Sequence, residues 1–206
     1  MERLASVNPS NYQILGEVMA SDRHEVEEKV RLARKAQKEW ANLGLDNRVT
    51  ILRRVVEEFK RCKETFATLE SREMGMPINE ALMDYDGTLA FAEWYLDNAE
   101  KYLSPETTFE NESEIHRVFR EPRGVAAVII PWNYPFLNFI WSSFQSLIAG
   151  NAVVLKHAEE CPLSGRMIEF VVSRILPEGV FSEVYGDGRV GQCLVQQDVN
   201  MIGFVG

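Results

Sequence analysis

The 206-residue chain is poor in the residues that most quickly reveal a chemistry. Its three cysteines, Cys62, Cys161 and Cys193, lie far apart, and so do its three histidines, His24, His116 and His157. The cysteines show neither C-x-x-C spacing nor the dense, even count of a disulfide framework, so they read as reduced thiols. With the histidines they form no metal-ligand spacing. Positive charge is also short, with 22 basic against 31 acidic residues and a net charge of −9. That balance argues against a nucleic-acid partner, which wants a basic face, and against an anionic membrane surface. No apolar run approaches the roughly 18 residues that span a bilayer. Residues 1–16 lack the basic-then-apolar order of a signal peptide, which makes the cytoplasm the expected location. There are no repeats and no low-complexity tracts. What remains, 46% hydrophobic and 26% charged, is the composition of an ordinary globular domain.

Residues 7–18, with Asn8-Pro9, Gly16 and apolar Ile14, Leu15 and Val18, read as a short hairpin or extended arm. Asp22 and Glu25 then have capping-box spacing, and Val26, Val30, Ala33, Gln37 and Trp40 follow at helical intervals up to Gly44. A second helix is expected from about Asp46, with Ile51, Leu52, Val55, Val56, Phe59, Phe66 and Leu69 on one face, ending at Gly75 and Pro77. A third runs from Ile78 to Leu103, with Ala81, Leu82, Tyr85, Leu89, Ala92 and Ala99 inward. After Ser104-Pro105 the pattern changes. Residues 115–121 alternate like a half-exposed strand, and Pro122 and Gly124 make a turn. Four short apolar runs follow at 125–130, 152–155, 180–185 and 201–205, separated by helical segments near 136–149, 162–176 and 189–197. Strand–helix alternation at this spacing implies a parallel sheet. The chain stops within the last run, before a crossover helix to cover it, and so reads as interrupted.

The segment that most narrows function is Val128-Ile129-Ile130-Pro131-Trp132-Asn133-Tyr134-Pro135. A buried strand ends there in two prolines that prevent both a continued ladder and an immediate helix. Asn133, held between them, is either an oxyanion donor or the residue of an Asx turn. Trp132 lines a pocket or packs in the core. Lys156 and Glu159 follow another buried strand, either as ligands for a polar group in the sheet crevice or as a solvated turn, and His157 reads as a solvated turn residue. Gly186 to Gly191 matches G-x-G-x-x-G after a strand and before a helix, but the next strand, 201–205, ends without the acidic residue that holds a ribose. Cys161 and Cys193 lie near helix starts, where a thiol pKa can fall, but neither has a histidine base nearby in sequence. Both read as structural, as does Cys62.

Taken together, these segments resemble the aldehyde dehydrogenase superfamily. Arg120 to Gly124 resembles the family's entry into the sheet. Residues 130–135 resemble its Pro-Trp-Asn-[Phe/Tyr]-Pro signature, and 150–156 its Gly-Asn-x-Val-Val-x-Lys signature. Residues 186–191 resemble its glycine turn, and 202–206 the start of its Phe-Thr-Gly-Ser strand end. The resemblance covers essentially the whole chain and implies roles for particular residues. Asn133 donates to the oxyanion of a thiohemiacetal, Lys156 and Glu159 hold the adenosine ribose, and Ile129, Ile130, Pro131 and Trp132 line the cofactor groove near the nicotinamide. Gly188 and Gly191 flank the adenine, while Phe204 and Gly206 lead toward the pyrophosphate site. The cofactor is NAD, with NADP as the alternative, and Glu159 leans toward NAD because a carboxylate repels a 2′-phosphate.

The chain also departs from the family. His157 stands where Pro is usual and Val205 where Thr is usual. The Ser after Gly206, the phosphate-binding helix, the Glu-Leu-Gly-Gly segment with the general base and the nucleophilic Cys are not in this sequence, and none of its three cysteines matches that nucleophile.

The resulting expectation is an α/β fold of N-terminal helices plus an incomplete Rossmann-like parallel sheet, with a strand arm of the oligomerisation type. Residues 1–104 form the arm and helical part, 105–124 the strand segment and hinge, and 125–206 the NAD(P)-binding core. Such a chain is the N-terminal part of an enzyme oxidising an aldehyde to a carboxylic acid, inactive alone. Its partner is another copy or a complementing C-terminal half. The alternatives are a non-catalytic binding or assembly module and a generic nucleotide-binding domain.

Overall fold

The computed structural model describes residues 2–206. Its centre is a four-stranded parallel sheet of β5 (Val125–Ile129), β6 (Ala152–Lys156), β7 (Phe181–Glu183) and β8 (Met201–Phe204), in the order β7-β6-β5-β8. The chain steps outward from β5 through β6 to β7 and then returns to β8 on the other side of β5. The order therefore reverses at β5, and open α/β sheets bind ligands at the carboxyl end of such a switch point. The four expected apolar runs are these four strands.

The sheet is apolar on both sides because both sides are covered. Val125, Ala127, Ala152 and Val154 pack with Val26, Val30 and Ala33 of α1 (Arg23–Asn42) and Leu194 of α8 (Gly188–Val195). Ala126, Val128, Val153 and Leu155 face the larger cluster. That cluster is built from α2 (Leu45–Arg61), α3 (Lys63–Met74), α4 (Ile78–Leu103), α5 (Pro135–Phe139) and α7 (Pro162–Ser173). Its centre is aromatic: Phe136 stacks on Tyr85 at 4.3 Å and packs against Phe59 at 4.8 Å and Phe66 at 5.4 Å.

The helix expected from Asp46 to Gly75 is two helices. α2 ends at Cys62, whose backbone leaves the helical region (φ −91°, ψ 2°), and α3 starts at once. No glycine or proline marks the break; Phe59 and Phe66 are buried on either side of it and meet edge to face at 5.7 Å. The capping box at α1 is half formed. Asp22 accepts from the Glu25 amide, but the Glu25 carboxylate turns to Lys29. α5 continues through a π-helical turn, Ile140–Phe144, into α6 (Gln145–Ile148).

The N-terminal arm is the antiparallel pair β1 (Arg3–Val7) and β2 (Ile14–Met19). The strand expected at 115–121 is β4 (Ile115–Val118), and it pairs antiparallel with β3 (Glu106–Glu110), for which the sequence gives no separate signal. Every residue of this hairpin is exposed, so the alternation marks no half-buried face.

Candidate active site and cofactor cleft

β5 ends where its hydrogen-bond donors end. The Ile130 amide donates to the Lys156 carbonyl at 3.1 Å, and Pro131, with no N–H, stops the ladder. Pro135 then opens α5 at a position where its missing donor costs nothing. Trp132 and Tyr134 are partly exposed, so Trp132 is not a core residue, whereas Ile130 is buried in the larger cluster and contributes packing, not groove surface. Asn133 is exposed. Its Oδ1 accepts from Asn138 Nδ2 at 3.4 Å, which turns the amide so that its Nδ2 faces away; among the described residues that nitrogen has no partner. An oriented amide with free N–H donors can stabilise negative charge developing on a substrate oxygen.

The support beneath this loop is a carboxyl group that the sequence pattern does not advertise. Glu70 of α3 is buried, and its Oε1 accepts from the Phe136 amide at 3.1 Å, at the N-terminus of α5. Burial pushes its pKa up to about 8; the Phe136 N–H opposes the rise, and the charges of Asp84 and Glu73 add to it. One turn along α3, buried Glu73 does the same for α7, accepting from the amides of Leu163 (2.9 Å) and Ser164 (2.8 Å). The one available signal was position: Glu70 and Glu73 fall four and seven residues after Phe66, on the buried stripe of the helix.

At the end of β6, beside this segment, Lys156 is only 4% exposed. Its ammonium donates to the His157 carbonyl at 3.1 Å and lies 3.6 Å from the more exposed Glu159 carboxylate. Lys156 is thus not a solvated turn residue. Neither is His157: it is buried, with Nδ1 3.1 Å from Oε2 of fully buried Glu183.

Gly191 of α8 completes the corner, since a Cβ there would lie 3.4 Å from both Ile129 Cδ1 and the Lys156 stem. The glycine turn before it needs its first glycine, because Gly186 has φ +154° and a Cβ would meet Val190 at 2.2 Å. Asp187 caps α8, accepting from the Arg189 amide at 2.8 Å and pairing with the Arg189 side chain. These hydrogen bonds hold the Asp187 carboxyl below its usual range, so a negative charge occupies the helix end where an ordinary dinucleotide fingerprint places the pyrophosphate. Gly188 has open space where its side chain would be. Phe204 is exposed on β8, opposite Ile129, and Gly206 lies just beyond it. Ile129, Lys156, Glu159 and Gly191 therefore converge, with Asn133 one segment away on the adjacent strand end.

The cysteines stand apart from this corner. Cys161 begins α7, but burial raises its thiol pKa well above the ordinary value, reversing the lowering expected of a helix start. Burial also raises Cys62. Cys193 lines a different cavity, with Asp22, Gly186 and Asp187. No cluster of three or more His, Cys, Asp or Glu side chains among the described residues is arranged to hold a metal ion, and no described helix is long and apolar enough to cross a membrane.

Comparison with known proteins bears on the family and the fold. The chain matches the aldehyde dehydrogenase family over residues 1–206. PnpE from Pseudomonas sp. WBC-3 is 30% identical, with a TM-score of 0.91 over 98% of this chain and 42% of its own. A PnpE structure in complex with nicotinamide adenine dinucleotide matches with a TM-score of 0.92, again at 30% identity over 98% and 42% of the two chains. An NAD-dependent benzaldehyde dehydrogenase from Corynebacterium glutamicum is 27% identical, with a TM-score of 0.90 over 100% of this chain and 46% of that one. The chain thus spans less than half the length of these relatives. Fold, signature segments and full-length family match together establish that it belongs to the aldehyde dehydrogenase family.

Proposed function

We propose that this chain supplies one oxyanion donor and the ribose side of the cofactor cleft in an NAD(P)-dependent enzyme that oxidises an aldehyde to a carboxylic acid. The observation that carries the reading is the Ile130–Lys156 hydrogen bond, which ties the Asn133 loop to the Lys156–Glu159 turn at the carboxyl end of adjacent strands. A nucleotide fits the residues present. Lys156 offers donors and Glu159 acceptors to ribose hydroxyls, and Gly191 leaves room beside the lysine stem. The Glu159 carboxylate favours a free 2′-hydroxyl and hence NAD over NADP. A dinucleotide held there would supply a hydride acceptor for the carbon being oxidised. The task of Asn133 is to donate its free Nδ2–H to the oxygen that gains charge as a nucleophile adds to the aldehyde. None of the three cysteines suits that nucleophile, for Cys161 is sealed and Cys62 and Cys193 lie outside the corner, so the chain alone does not turn over.

Two measurements test this. Ligand-observed NMR with NAD should show weak binding, with Kd on the order of 1 mM (about −4 kcal/mol), because Lys156 and Glu159 offer contacts to the ribose alone. That binding should weaken about five-fold in Lys156→Met, and NADP should bind more weakly than NAD. Equal NAD binding by wild type and Lys156→Met would refute the cofactor assignment. Aldehyde-dependent NAD reduction by the purified chain would refute its inactivity. A second reading, an assembly module, draws on hairpin β3–β4, which exposes Phe109, Ile115 and Val118. Sizing of the purified chain tests it, and a clean monomer counts against it.

A further inference from the structure

His157 and Glu183 form the most deeply buried polar pair beside the cleft, and the cofactor reading gives neither a task. The imidazole Nδ1 is 3.1 Å from the Glu183 carboxyl, while the other polar atom of each group, His157 Nε2 and Glu183 Oε1, is buried without a partner among the described residues. Two orphaned atoms make the pair a poor source of stability. An apolar pair of similar volume would leave neither atom desolvated and unpaired. The fold nevertheless makes room for it. Gly165 of α7 passes so close that a Cβ there would sit 2.4 Å from Glu183 Oε2 and 3.0 Å from His157 Nδ1.

Glu183 is itself fixed on all sides. Its amide donates to Glu169 at 3.1 Å, its carbonyl accepts from the Lys29 ammonium, and it stands opposite Leu155 in the β6–β7 ladder. His157 joins this anchor to the cleft. Its ring is held by Glu183, and its carbonyl is the group to which the Lys156 ammonium donates. The Lys156 carbonyl in turn receives the Ile130 amide from the strand end that leads to Asn133.

We propose that the buried His157–Glu183 pair is a positioning device for the Lys156–Glu159 turn. It holds the His157 carbonyl in place, and so holds the Lys156 ammonium where it meets a ribose. Without the imidazole anchor, the residue after β6 is free to rotate, the carbonyl leaves the ammonium, and the lysine swings into solvent. The inference rests on the cofactor reading of Lys156 for its purpose but not for its geometry, so the two are separable.

The test reads Lys156 directly. Reductive methylation followed by peptide mass spectrometry gives its modification rate relative to exposed Lys38 in the same molecule. In the wild type, Lys156 should react about ten-fold more slowly than Lys38, as a buried, hydrogen-bonded amine does. His157→Leu should raise the Lys156 rate about five-fold or more without moving Lys38, whereas Glu183→Gln, which keeps an acceptor for Nδ1–H, should stay within about two-fold of wild type. Circular dichroism checks folding. Should His157→Leu not fold, Glu183→Met, which removes the acceptor and leaves the histidine in place, carries the same expectation.

NAD binding supplies the second readout. His157→Leu and Lys156→Met should each weaken it, and the double variant should be no weaker than Lys156→Met alone, because the two act through one contact. An unchanged Lys156 rate in His157→Leu overturns the positioning role even if NAD affinity depends on Lys156. Additive losses overturn it as well. A released Lys156 in a chain whose NAD affinity ignores Lys156 overturns the ribose assignment instead and leaves the hold on the lysine standing.

Discussion

Replacing Glu70 with glutamine should stabilise the protein in alkaline solution and leave it nearly unchanged in acid. The carboxyl is buried; among the described residues it accepts one hydrogen bond, from the Phe136 amide, and its other oxygen, Oε2, is buried without a partner. Its pKa is raised from 4.5 to about 8. Because the folded value exceeds the unfolded one, the contribution is fully present below about pH 4.5 and is lost as pH rises through 8. At about 1.4 kcal/mol per unit, the full difference approaches 5 kcal/mol, and relaxation around a buried charge reduces the realised effect to roughly 2–3 kcal/mol. Glutamine keeps an acceptor for Phe136 and carries no charge. Urea unfolding near pH 5, 7 and 9 reads the result as the difference in midpoint between variant and wild type, scaled by a common slope. Other groups that titrate alike in both proteins cancel in that difference. Asp84, also raised by burial, is present in both proteins. The variant should therefore gain on wild type steadily from pH 5 to 9. A difference that stays flat, or a variant that loses ground as pH rises, would show that the carboxyl is already neutralised or solvated and that the reasoning is wrong.

The same substitution one turn further along α3 should act in the opposite sense. Each Glu73 oxygen accepts two hydrogen bonds, from Ser6 and Leu163 on one side and from the Ser164 amide and hydroxyl on the other, so Glu73→Gln turns an amide NH2 toward donors and should cost about 2–3 kcal/mol in the same urea assay. Gly165→Ala forces a Cβ to within 2.4 Å of Glu183 Oε2 and should lower stability by about 1–3 kcal/mol, read by thermal unfolding; an unchanged melting temperature would mean α7 can move off the buried pair. Cys161 should resist an aromatic disulfide reagent in the native state and react only on unfolding, since it is fully buried with its thiol pKa raised; reaction as fast as that of Cys193 would contradict this packing.

The parallel core was legible because each strand is a short apolar run punctuated by Gly, Pro or Asn, and both faces of the sheet are apolar when both are covered. The Asn133 loop was legible because two prolines leave the backbone few alternatives. The break at Cys62 was not, since neither glycine nor proline marks it and the apolar period runs straight through; tertiary packing of Phe59 and Phe66 decides it. Strand β3, all of whose residues are exposed, carries no burial pattern to read. His157 and Glu183 escaped for a related reason. A histidine after a lysine looks like a solvated turn, and a glutamate in the run 180–185 looks like its polar edge, until the fold places each opposite the other 26 residues away.

The residues proposed to have chemical roles lie at strand ends, and what supports them is a set of buried acidic side chains from elsewhere in the chain. Glu70 and Glu73 share one face of α3, and each binds the amide end of a different helix: α5, which follows Asn133, and α7, which follows the Lys156–Glu159 turn. A carboxyl group is well suited to this work, because its oxygens accept the orphan N–H groups of a first turn. The two helices therefore cannot slide relative to one another without breaking a buried hydrogen bond to a common rod. Glu183 extends the same logic to the sheet, binding His157 across two strands. Desolvation raises Glu70 and Glu183 toward neutrality. Apolar residues at positions 70 and 73 would leave the Phe136, Leu163 and Ser164 amides without these acceptors and the two helix ends less firmly placed. On this reasoning the buried acidic groups serve the geometry of the strand ends through the hydrogen bonds they accept.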